Sequence, residues 1–112
     1  MLNFHDHKLW QDAYVVLMDI HGAIDNLDAA DDKAVVEGLL TAAQFVAAKI
    51  ADGLSRKDHR HGSQLIYDAV GLVAVARTQL AVAWGRGLLN DEAFRGLDDK
   101  YAQLSESLQQ YR

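Results

Sequence analysis

The chain has 112 residues and not one proline. Proline removes a backbone donor and clashes with the preceding helical turn, so its absence leaves long helices uninterrupted. Breaks then fall to glycine and to short polar clusters. The apolar residues agree with helix. Leu9, Ala13, Val16, Ile20, Ala23 and Leu27 step by 4, 3, 4, 3, 4 and define one helical face, widened by Trp10, Tyr14, Leu17 and Ile24. A second face runs through Val36, Leu39 or Leu40, Ala43, Val46 or Ala47, Ile50 and Leu54. A third runs through Leu65, Ala69, Leu72, Ala76, Leu80 and Ala83, with Ile66, Val70, Val73, Val75 and Val82 on further faces. A helix apolar on several sides is either central or covered by another subunit. The last seam, Phe94, Leu97, Tyr101, Leu104, Leu108 and Tyr111, steps by 3, 4, 3, 4, 3.

Punctuation falls between these segments. The run DNLDAADDK offers Asp31 or Asp32 as an N-cap. Gly53 stands where a left-handed C-terminal cap belongs, and Ser55 to Asp58 has capping-box spacing. Gly85-Arg-Gly87 closes the third segment, and Asn90, followed by Asp91 and Glu92, opens the fourth. Four amphipathic helices with short joints predict an all-α fold, an antiparallel up-down-up-down four-helix bundle, as one domain over residues 1–112.

Composition narrows the function classes. There is no cysteine, which excludes disulfides, thiolate nucleophiles and cysteine zinc sites and fits a reducing cytoplasm, the expected location. The opening MLNFHDHKLWQD carries charges early and no long apolar run, so no signal peptide is expected. Uncharged runs such as Ala69 to Ala76 fall far short of the ~20 residues of a membrane span. Net charge is −5, a poor match to a phosphate backbone. Residues 1–54 hold nine acids and three bases, net −6, whereas residues 55–112 hold seven acids and eight bases, net +1. Arg56, Lys57 and Arg60, with His59 and His61, form the local basic run.

Site-like groups are few. His5 with His7, and His59 with His61, are spaced i, i+2, which separates them on a helix and permits chelation only in a loop. His21 and Asp25 suggest a surface i, i+4 pair. The adjacent acids Asp31-Asp32 and Asp98-Asp99 point apart on a helix rather than converging across a cleft. No Glu-x-x-His pair, nucleophile elbow or glycine-rich phosphate loop is present, and Ser55, Ser63, Ser105 and Ser107 lack a nucleophile's context. No catalytic residue, cofactor or metal is expected.

Four pieces of the sequence resemble one family. Leu9-Trp-Gln-Asp-Ala13 resembles an opening V-W-Q-x-A, and Val46-Ala-Ala-Lys-Ile-Ala-Asp-Gly53 resembles I-x-x-N-I-A-E-G. Ala69-Val-Gly71 resembles the start of A-x-G-S-x-x-E. Thr78-Gln-Leu80 with Gly87-Leu-Leu89 resembles T-Q-L followed by G-Y-L. In this order they are similar to the bacterial four-helix bundles related to proteins encoded in intervening sequences of 23S ribosomal RNA genes. The resemblance implies a cytosolic bundle that assembles with itself, with pentameric rings among its members. A related, more basic branch assists reverse transcriptases. The chain departs from the pattern at Lys49, Asp52, Leu72 and Val75, where the family has asparagine, glutamate, serine and glutamate.

Self-association is therefore the expected role, a homo-oligomer, pentameric by family likeness. Trp10, Tyr14, Leu17, Val70 and Val73 are its candidate interface residues. The alternative is a nucleic-acid-binding or reverse-transcriptase accessory role through Arg56, Lys57 and Arg60. Lys49 is expected to lay its stem on apolar surface with its amine in water, or to stand at a subunit joint.

Overall fold

A computed structural model describes residues 3–25 and 32–111. A 3-10 turn at Phe4–Asp6 leads into α1 (Lys8–Ile24), α2 (Lys33–Leu54), α3 (His59–Gly85) and α4 (Asp91–Gln109). The molecule measures 44 × 20 × 19 Å, so helices of 17 to 27 residues must lie along its long axis. Short joints then force sequential helices to run antiparallel. α1 touches α2 and α4, and α3 touches α2 and α4, while the diagonal pairs make no contact. The four-helix bundle predicted from spacing is the fold found. The predicted position of Leu27 and the alternative cap Asp31 lie outside the described residues.

The helix ends follow local chemistry. His7 caps α1 by accepting the Leu9 N–H at Nδ1, 3.1 Å away, which requires that nitrogen to be unprotonated. Asp32 precedes α2 but makes no side-chain cap bond. Its carboxylate instead accepts from Arg86 Nε at 3.0 Å, tying the start of α2 to the end of α3. Asp58 alone caps α3, accepting from the Arg60 N–H, so Ser55 belongs to the end of α2 and no capping box forms. Gly87, at φ +79°, ends α3: its N–H reaches the Trp84 carbonyl and the Leu88 N–H reaches that of Ala83. Asn90 caps α4 through the Ala93 N–H at 2.8 Å.

The core is a continuous stack of aliphatic side chains from all four helices around one buried aromatic, Tyr101. The expected inward face of α3 holds at Ala69, Ala76, Leu80 and Ala83, but Ile66 and Val73 take the buried places expected of Leu65 and Leu72. Gly62, Ile66, Ala69, Val73, Ala76, Leu80 and Ala83 are buried, while Leu72 lies half-buried at the margin. Gly53 is also not a left-handed cap. It lies inside the last turn of α2, buried against Gly62 of α3. Alanines at 42, 43, 47, 69 and 76 line the same two helices and let them pack closely.

Candidate functional site

The five expected interface residues do not form one surface. Val73 is 1% exposed and belongs to the core, so it offers nothing to a second subunit. Val70 and Leu17 are half-buried and packed on that core from diagonal helices. Trp10 stacks on Tyr14 at 5.0 Å and takes the edge of Phe4, so the N-terminal turn partly covers it. Tyr14 remains outside with Val15 and Met18, giving α1 an apolar outer strip.

The larger uncovered surface belongs to α2 and α3. Phe45 is 57% exposed and Tyr67 60%, and Val75 and Val82 of α3 are exposed as well, whereas Trp84 turns to α4, stacking on Phe94 at 4.6 Å and donating its indole N–H to Asp91 at 2.8 Å. Around them the outward positions are mostly small: Ala48 on α2, and Gly71, Ala74, Thr78 and Ala81 on α3. Each helix is long and apolar enough, by length and composition, to cross a membrane, yet only 33% and 28% of those windows are buried within the bundle. Further apolar residues, Val35, Val36, Leu40, Leu54, Val70 and Leu72, are partly buried against the core, which leaves Phe45, Tyr67, Val75 and Val82 outside it. The spacing signal for α3 said as much, since that helix is apolar beyond a single face. Phe45 and Tyr67 escaped notice because each stands off the inward face of its helix.

The departures from the family pattern meet on this surface. Lys49, Asp52 and Leu72 line one shallow depression with Phe45 and Ala48 between α2 and α3. Asp52 is held by Arg56 Nε at 2.8 Å, whereas Lys49 is half-buried and makes no ion pair among the described residues.

The opposite edge, between α1 and α4, is open and shallow. A wide depression of about 550 Å³ there is lined by Gly22, Ala23, Glu92, Ala93 and Gly96, and Lys100 of α4 bonds Asp19 of α1 across it. A methyl group on Gly22 or Gly96 would meet nothing within 4 Å.

The basic turn is less free than its sequence suggests. Arg56 is committed to Asp52, while Lys57 and Arg60 are exposed without ion pairs among the described residues. Two histidines converge on Tyr111 at this end of the bundle, His7 at 5.8 Å and His59 at 6.0 Å between ring centroids. Three of the four histidines of the candidate metal pairs have separate tasks. His5 bonds Asn3 and packs on Trp10, His7 caps α1, and His59 bonds Ser63. No group of three or more His, Asp or Glu residues is placed to hold a metal among the described residues. No hydrogen bond or ion pair joins the side chains of His21 and Asp25; the contact there is Asp25 N–H to the His21 carbonyl. Asp98 is not simply a solvated acid. It accepts two bonds from Arg77, at 2.7 and 3.0 Å, and that hydrogen bonding raises the guanidinium pKa.

Bundle topology, glycine-mediated packing of α2 on α3 and several exposed apolar side chains on α1, α2 and α3 define a small helical bundle. The chain belongs to the 23S rRNA-intervening sequence protein family, whose model matches residues 5–110. No curated protein and no solved structure matches the chain.

Proposed function

We propose that the protein is a non-enzymatic assembly module, a cytoplasmic homo-oligomer whose subunit number, by family likeness, is five. The observation that carries this reading is the uncovered apolar surface of α2 and α3, with Phe45 and Tyr67 more than half exposed. Contiguous apolar surface on a small soluble domain marks an interaction site, because covering it removes apolar area from water. The absence of an enzymatic role is supported by how the polar groups are used. Asp98, Asp32 and Asp52 are engaged by arginines, and His7 by a helix end. Size-exclusion chromatography with light scattering tests the reading. A defined multiple of the 12.4 kDa chain supports it, and a monomer at all concentrations refutes it.

A second reading rests on the histidine and lysine end of the bundle. His7, His59 and Tyr111 come together there, near the exposed Lys57 and Arg60. An accessory role on nucleic acid would use that end, and a ring would repeat it with each subunit. Its test is RNA or DNA retention that falls steeply with salt and is lost in Lys57→Ala/Arg60→Ala.

A further inference from the structure

We infer that His7 makes the start of α1 a proton-operated latch: neutral, it holds the N-terminal turn closed, and protonated, it releases that turn and uncovers Trp10. His7 takes the N-cap place of α1, where the usual serine or asparagine keeps its acceptor at any pH. Its Nδ1 accepts the Leu9 N–H at 3.1 Å, so the ring is neutral and carries its proton on Nε2. A second proton lands on Nδ1 itself. Two donors then face each other, and a cation sits at the positive end of a 17-residue helix.

The surroundings do not offset this. No carboxylate is in ion-pair reach of His7 among the described residues, and neighbouring Lys8 is spent on Asp12. Asp6, in the N-terminal turn, makes no ion pair among them. From α4, Tyr111 meets the His7 ring at 5.8 Å, and an aromatic face attracts a cation. The same Tyr111 ring, however, holds His59 of α3 at 6.0 Å, a second group that gains positive charge on acidification. Lys57 and Arg60 add like charge at this end, and Arg56 of the same turn is paired with Asp52. His5 behaves differently from His7. Its Nδ1 meets Asn3 Oδ1 at 2.7 Å, a bond that an N–H donates whether the ring is neutral or charged.

The latch has something to cover. Phe4 and His5 lie against Trp10 at 5.4 and 4.8 Å, and Gln11 Nε2 ties the turn to α1 through the His5 carbonyl at 3.0 Å. Gln11 stands in the first turn of α1 and lets go when that turn unwinds. Trp10, stacked on Tyr14, then extends the exposed strip of Tyr14, Val15 and Met18.

The unfolded chain takes up the proton without losing a bond, so stability is full above the range where histidine charges and falls as pH drops through it. Urea denaturation at about pH 7.5 and about pH 5, spanning that range, compares the wild type with His7→Asn, which keeps a cap acceptor and cannot titrate. The unfolding constant of the wild type should rise about fivefold more than that of His7→Asn, the worth of one cap. Equal rises overturn the inference. His59→Gln should keep the wild-type response, and a response that vanishes with His59 overturns it. In a Trp84→Phe background, acrylamide quenching of Trp10 should increase on acidification and stay level when His7→Asn is added; quenching that stays level in both overturns the inference. Should Trp84→Phe fail to fold, the Leu9 amide proton of the wild type reports by NMR. An upfield move on acidification is expected, and a shift that ignores pH overturns the latch.

Discussion

Gly53 of α2 and Gly62 of α3 press backbone against backbone. A Cβ on Gly62 would lie 2.6 Å from the Gly53 carbonyl oxygen, and one on Gly53 would lie 2.9 Å from that of Gly62 and 2.8 Å from Ile66 Cδ1. No side chain can yield at the backbone contact, so the helices themselves would have to part. Gly53→Ala and Gly62→Ala should each destabilise the fold by about 1–3 kcal/mol, as core overpacking does. Gly71→Ala, elsewhere on α3 with nothing within 4 Å, should be neutral or stabilising by up to ~1 kcal/mol. Urea midpoints of the three variants check the contrast.

Tyr101 is fully buried at the centre of the bundle, and its hydroxyl has no hydrogen-bond partner. Burial pushes its phenol well above the ordinary range. Removing an unsatisfied buried hydroxyl relieves a desolvation cost, so Tyr101→Phe should leave stability unchanged or raise it by about 1 kcal/mol. Tyr101→Ala should cost about 3–5 kcal/mol through the cavity it opens. Thermal denaturation followed at 222 nm distinguishes the pair.

Arg77 and Asp98 are the fork-shaped ion pair that fastens α3 to α4. Both side chains are partly exposed, so solvent and salt screen them. A double-mutant cycle with Arg77→Ala and Asp98→Ala should give a coupling of about 0.5–1 kcal/mol that shrinks as salt is raised.

The joint between α3 and α4 depends on two backbone devices. Asn90→Ala removes the bond to the Ala93 N–H and should cost about 1 kcal/mol. Gly87→Ala forces a side chain into a positive φ and should cost roughly 1–2 kcal/mol. Chemical denaturation measures both, and the double variant should lose close to the sum only if the two ends act independently.

Much of the bundle was legible because helix length, breaks and caps are local properties. Asn90 and Gly85-Arg-Gly87 act where the sequence placed them, since a cap needs only its own turn. What escaped depended on distant partners. Gly53 resembled a cap because nothing in its neighbourhood reveals Gly62 across the interface. The inward edge of α3 could not be chosen by spacing when Leu65, Ile66, Leu72 and Val73 all fit a helical face. The structure selects Ile66 and Val73, which took Val73 out of the expected interface. The link from Arg77 to Asp98 spans 21 residues and has no local signature.

The central claim is that α2 and α3 keep their apolar surface for another copy of the chain. Sedimentation equilibrium of the wild-type protein over a broad concentration range tests it most directly, with Phe45→Asp run alongside. The account predicts a closed species of several chains for the wild type, five by family likeness, and a marked loss of mass for Phe45→Asp. A wild type that sediments as a single 12.4 kDa chain throughout would contradict it.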